Sequence, residues 1–150
     1  MAGIFSGLFS KNVKVDMVVN PTSAGVAGAT TGASVDMAGY DGCAFVCNVG
    51  TATSGATATL AVRTSASTGS WVAISGATCV STGGADNGLL MVDVYKPRKR
   101  YLSPLLTIGT TILVHGGVTA YRYHARSTPV TNSTAAEFLA APAIVVFANT

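Results

Sequence analysis

The chain has 150 residues, of which 10% are charged and 49% hydrophobic, with 17 glycines and a mean hydropathy of +0.47. That composition excludes a disordered chain, which needs low hydrophobicity and high charge, a collagen, which needs glycine at every third position, and a helical bundle, which needs far more Leu, Glu and Lys. A single all-β domain rich in Thr, Ser, Ala, Gly and Val remains. Its nine Lys and Arg against six Asp and Glu give a net charge of +3, too mild for a dedicated nucleic-acid binder.

In chain order, residues 1–12 read as an apolar N-terminal arm. Its Ile4, Phe5, Leu8 and Phe9 suit one short amphipathic turn, and it lacks the basic region that opens a secretory signal. A strand is expected from Val13 to Asn20, ended by Asn20-Pro21. Thr22 to Ala33 is almost pure Thr, Ser, Ala and Gly and reads as a loop, followed by a short strand over Ser34 to Met37. Cys43, Phe45, Cys47 and Val49 then alternate with Ala44, Val46 and Asn48, placing the first set on a core face. Thr57 to Thr64 turns Ala58, Leu60 and Val62 inward, and these two strands are expected to pair as a hairpin.

Trp71 to Ile74 begins another strand, with Trp71 expected as a core or interface anchor. Asn87-Gly88 is the strongest turn signal, because both central residues of a type I′ turn need positive φ. It leads into Leu89 to Tyr95, where Leu90, Val92 and Val94 oppose Leu89, Met91, Asp93 and Tyr95. Tyr101 to Ile108 contains Pro104, which implies an edge or a bulge. Ile112 to Tyr123 is a long strand whose Gly116-Gly117 predicts a bulge or a close backbone approach. The pattern is lost after Ala125, and Glu137 to Ala148 is an apolar tail, too short and too broken by Pro142 to span a bilayer. The count of roughly seven or eight short strands points to an antiparallel β-sandwich or jelly roll over 13–130, with arms at 1–12 and 131–150.

Chemistry is sparse. No nucleophile elbow, zinc-protease motif or P-loop is present, and no pair of carboxylates has a basis for a raised pKa. No catalytic residue, metal ligand or cofactor is therefore expected, nor a small-molecule substrate or a membrane. Cys43 and Cys47, four apart on one strand face, lie about 13 Å from each other, too far for a disulfide. The three cysteines read as reduced thiols of a protein made in a cytoplasm. His115 is expected as a hydrogen-bonded core or interface residue and His124 as surface structure.

The most specific local feature is Lys96-Pro97-Arg98-Lys99-Arg100, four positive charges in five residues on a stiffened loop. A solvated loop, a docking patch for an acidic protein surface and a phosphate contact all fit it. The third lacks an aromatic platform beyond Tyr95 and Tyr101. The apolar ends suit arms that bury on a partner.

The run from Val35 to Gly42, followed by Phe45, resembles a family of small structural proteins of tailed bacteriophages. So do Asp93-Val94-Tyr95-Lys96-Pro97-Arg98-Lys99-Arg100-Tyr101, the Thr107-Ile108-Gly109-Thr110 turn, and Tyr121 to Arg126. The likeness covers about residues 34–130, roughly two thirds of the chain. It implies a capsid decoration or cement protein, a non-enzymatic β-sandwich that self-associates, commonly as a trimer, on the outside of an icosahedral head. The expected partners are the major capsid protein and further copies of this chain; nucleic acid is not expected. Candidate capsid contacts are Lys96, Arg98, Lys99, Arg100, Ile4, Phe5, Leu8 and Phe9. Candidate contacts between copies are Phe138, Leu139, Ile144, Val145, Val146 and Phe147. A tail or head-to-tail connector protein remains open, as does a carbohydrate-binding or adhesin module stacking sugars on Trp71, Tyr40 or Tyr121.

Overall fold

A computed structural model describes residues 7–81 and 87–132. One short helix, α1 (Phe9–Asn12), precedes ten strands: β1 (Lys14–Val19), β2 (Thr22–Gly25), β3 (Gly28–Thr31), β4 (Val35–Asp36), β5 (Tyr40–Ala52), β6 (Thr57–Ser65), β7 (Val72–Ser81), β8 (Gly88–Tyr95), β9 (Tyr101–Gly109) and β10 (Leu113–Ala125). They form two five-stranded antiparallel sheets packed as a sandwich. The first runs β1-β10-β5-β8, with β2 also on β10; the second runs β3-β9-β6-β7, with β4 also on β9.

The alternation along β5 sets the core. Cys43, Phe45, Cys47 and Val49 all turn inward and are buried, as their spacing predicts, and they join Leu60 and Val62 of β6 with Leu102, Leu106 and Ile108 of β9 in one cluster. On β8 the expected division also holds: Leu90, Val92 and Val94 are buried while Leu89, Met91 and Tyr95 are exposed. Val35, expected on a short strand, is buried on β4.

Two expectations are corrected. The inward faces of β5 and β6 are both legible, but the strands lie in different sheets: β5 pairs with β8 and β10, and β6 with β7 and β9. A two-residue period defines a face without saying which sheet carries it. The stretch 22–33 is also not a plain loop, since β2 and β3 lie within it, paired to β10 and β9. These Thr, Ser, Ala and Gly strands have weak intrinsic preference and exist because long strands beside them offer free backbone groups.

Pro104 sits in β9, an interior strand. Its carbonyl accepts from Gly32 N–H at 2.8 Å, at the break between β3 and β4. A residue's N–H and C=O point to the same side of a strand, so the missing N–H falls where no ladder bond is lost. Ser103 hydroxyl donates to Gly32 oxygen at 2.9 Å, and Ala33 N–H donates to Val18 oxygen at 2.8 Å. That last bond joins the two sheets along one side.

The glycine pair in β10 makes the expected irregularity, with the register shifting between His115 and Val118. Gly117 has φ +81, and a Cβ there would strike the Val19 carbonyl oxygen. His115 is buried and its Nδ1 accepts the Gly117 N–H at 3.1 Å, holding the bulge from inside. Burial lowers the His115 pKa, which keeps the ring neutral as an acceptor. Gly117→Ala is expected to destabilise the protein by about 2 kcal/mol or more, through strain at positive φ plus the clash. Gly69→Ala, where a Cβ meets nothing within 4 Å, should cost under about 1 kcal/mol. Urea unfolding of the two variants checks the contrast.

Candidate docking surfaces

The basic loop 96–100 crosses from β8 in one sheet to β9 in the other, and this crossover fixes its shape. Lys96 adopts φ +50 and its N–H donates to Asp41 oxygen at 2.7 Å, while Met37 N–H donates to Arg100 oxygen at 2.8 Å. The loop therefore lies against the 37–41 turn, and the two line an open cleft of about 400 Å³ together with Arg126.

Within the cleft, the four cations singled out by the sequence divide. Arg100 already has a partner: its Nε and Nη2 donate to the two Asp36 carboxylate oxygens at 2.9 and 2.7 Å. That fork holds the Asp36 pKa down at about 2 and pushes the Arg100 pKa up. Arg126 pairs with Asp41 at 3.3 Å, and Arg122 with Asp16 at 2.6 Å, while Arg122 Nη1 also donates to Asp36 oxygen at 2.7 Å. Arg100, Arg122 and Arg126 are thus paired within the fold. Lys96 extends over the Tyr95 ring at 5.3 Å. Among the described residues, Lys96, Arg98 and Lys99 have no carboxylate within ion-pair distance.

A second surface emerges from the register. The outward rows of the β1-β10-β5-β8 sheet place Val15, Tyr121, Ala44 and Asp93 side by side, then Met17, Thr119, Val46 and Met91, with Leu89 beyond. This face is apolar yet solvent-facing: Leu89 is 69% and Met91 55% exposed. Tyr95 stacks on Tyr123 at 6.4 Å with the rings nearly parallel, and Tyr123 hydroxyl donates to Asp93 at 2.7 Å. Burial first, then that bond, raises the Tyr123 pKa. The outward rows of the opposite sheet carry Thr31, Leu105, Ala61 and Thr78, then Ala29, Thr107, Thr59 and Val80, so threonine and alanine predominate there around two aliphatic side chains, of which Val80 is exposed.

Phe9 of the arm joins the apolar face, 59% exposed and with its ring 6.1 Å from Tyr121; Leu8, half-buried, caps α1. Ile4, Phe5, Phe138, Leu139, Ile144, Val145, Val146 and Phe147 lie outside the described residues. Sequence reasoning missed the apolar face, because Leu89, Met91, Val46 and Tyr121 belong to different strands and only their pairing sets them side by side. Alternation within β8 was the available signal: Leu89 and Met91 stand opposite a buried row, so they had to face out.

Trp71, Tyr40 and Tyr121 are not brought together. Trp71 is half-buried beside β7 with the Arg63 guanidinium 6.0 Å from its ring, Arg122 covers the Tyr40 ring at 4.8 Å, and Tyr121 lies on the outer face of the other sheet. Among the described residues, no group of three His, Cys, Asp or Glu could hold a metal, and no helix is long and apolar enough to cross a membrane. No protein-family model matches the chain, and no curated protein matches it at a significant level.

Two measurements check these environments. The Asp36 pKa is depressed from 3.8, so its pair with Arg100 contributes fully above that value and is lost as pH falls toward about 2. Unfolding midpoints of Arg100→Gln should therefore fall less than wild type's between pH 5 and pH 2.5. Burial raises the Cys43 and Cys47 thiols to about 12 and about 11. Iodoacetamide at pH 8 should label half-buried Cys79 first and the other two only on unfolding, as peptide mass spectrometry would show.

Proposed function

We propose that this chain is a non-enzymatic virion structural protein of a tailed bacteriophage, a decoration protein that binds the outside of the icosahedral capsid and braces it against packaged DNA. On this reading it is made in the host cytoplasm and acts on the capsid surface. The observation that carries the reading is the outer face of one sheet, where Leu89 and Met91 are exposed beside half-buried Val46 and Tyr121, while the other face is mostly threonine and alanine around Leu105 and Val80. An apolar face of this kind suits a protein whose work is to bury area against copies and partners.

Arg98 and Lys99 supply the charged contact. They sit on a crossover loop pinned at both ends, so an acidic patch on the major capsid protein meets them without an ordering cost in the backbone. Arg100 and Lys96 shape that loop. Copies associate as a homo-oligomer, a trimer in the family the sequence resembles, and a trimer engaging three sites can gain about 10²-fold or more in avidity over one copy.

The reading predicts that purified particles contain this protein in a simple ratio to the major capsid protein. Quantitative mass spectrometry giving a dozen copies or fewer would assign it to the tail or neck instead. Arg98→Ser with Lys99→Ser is expected to lower capsid occupancy and flatten its salt dependence without moving the thermal midpoint. Full occupancy would remove the loop from the contact.

A further inference from the structure

The apolar face has a groove of about 490 Å³ lined by Phe9, Val13, Val46, Met91, Tyr121 and Tyr123, and the described chain ends beside it. Asn132 is buried and clamped there: its Oδ1 accepts the Val15 N–H at 2.9 Å, and its Nδ2 donates to the Ser10 oxygen at 3.0 Å and to the Val13 oxygen. Val13 thus both holds Asn132 and lines the groove. The neighbouring Val130 N–H donates to Lys11 oxygen at 2.9 Å, so the chain reaches this rim under tight control.

The residues that follow are Ser133-Thr134-Ala135-Ala136-Glu137, and then Phe138-Leu139, the first large apolar side chains past the clamp. Six steps of chain from Asn132 cover about 20 Å, whereas three strand spacings, the width from β1 to β8, are about 14 Å. Phe138 can therefore reach any part of the groove of its own molecule. A tether this short raises the local concentration to the millimolar range, which outcompetes the same segment on another copy at micromolar protein.

We propose that the groove is the seat of the chain's own C-terminal segment, with Phe138 and Leu139 laid across the outer face of the β1-β10-β5-β8 sheet. Burial of two large side chains against Met91, Val46 and Tyr121 removes from water the surface that makes this face costly to leave bare. Pro142 follows after two alanines, and Ile144, Val145, Val146 and Phe147 remain for contact between copies. A segment seated there covers Val46, Met91 and Tyr121 and leaves Leu89 and the 98–99 loop for a partner; the test contains no capsid, so this inference and the capsid reading fail separately.

The test uses the full chain. Phe138→Ser with Leu139→Ser is expected to lower the thermal midpoint by about 5 °C or more and to raise the fluorescence of an apolar-surface dye several-fold. Met91→Ser should lower the midpoint too, and adding it to the Phe138 and Leu139 changes should give less than the sum, since both remove one contact. Unchanged midpoint and dye fluorescence, or strict additivity, would overturn the proposal. In a Cys79→Ser background, Met91→Cys with Phe138→Cys should oxidise to a disulfide within one chain at micromolar protein, seen as a monomer on a non-reducing gel with the linked peptides in its digest. A disulfide between chains would instead give the groove to a neighbouring copy and overturn the assignment.

Discussion

Everything in this molecule rests on one constraint: along β5 and β10, every second side chain must leave water. The inward row of β5 is narrow, with Phe45 its only aromatic among Cys43, Cys47 and Val49, and it closes only because Leu60, Val62, Leu102 and Leu106 fill the opposing side. The cluster these side chains make runs between the two sheets. It also fixes the other half of each strand as surface, and that surface is where the two faces of the sandwich diverge.

The two long sides of the sandwich are finished differently. On one, Gly32, Ala33, Ser103 and Pro104 form a junction in which backbone bonds run both along the second sheet and across to Val18 of the first. A Cβ on Gly32 would strike the Pro104 ring, so beside that proline the junction needs glycine at 32. On the other side β7 and β8 border an open recess lined by Val72, Ile74, Val94 and Pro97. Among the described residues, no backbone hydrogen bond joins β7 to β8 here. The basic loop 96–100 spans that side at its end, which explains why its backbone is so firmly held.

Alternation made β5, β6 and β8 legible, because each repeats apolar residues every second position over four or more residues. The Gly116-Gly117 bulge and the buried role of His115 were legible for a related reason: a glycine pair inside a long strand has few other uses. What escaped were features made by distant partners. The short strands β2 and β3 have no pattern of their own. The pairing of β5 with β10 rather than β6 is decided by the whole sandwich, not by the turn at 53–56. Nothing local marks which arginines are engaged, yet Arg100, Arg122 and Arg126 are claimed by aspartates 64, 106 and 85 residues away, separations at which no local reading operates. The apolar outer face was half visible, as exposed positions on β8, but its extent came only from register.

The Asn132 clamp has a mechanical side. Its amide bridges Ser10, Val13 and Val15, so the stretch entering β1 and the stretch leaving after β10 are held at a single corner. A pull applied at residues 10 and 132 is borne by the Asn132 side-chain bonds and the Val130–Lys11 backbone bond before it reaches the β1–β10 ladder. The clamp also makes residues 13 and 132, far apart along the chain, close neighbours in space.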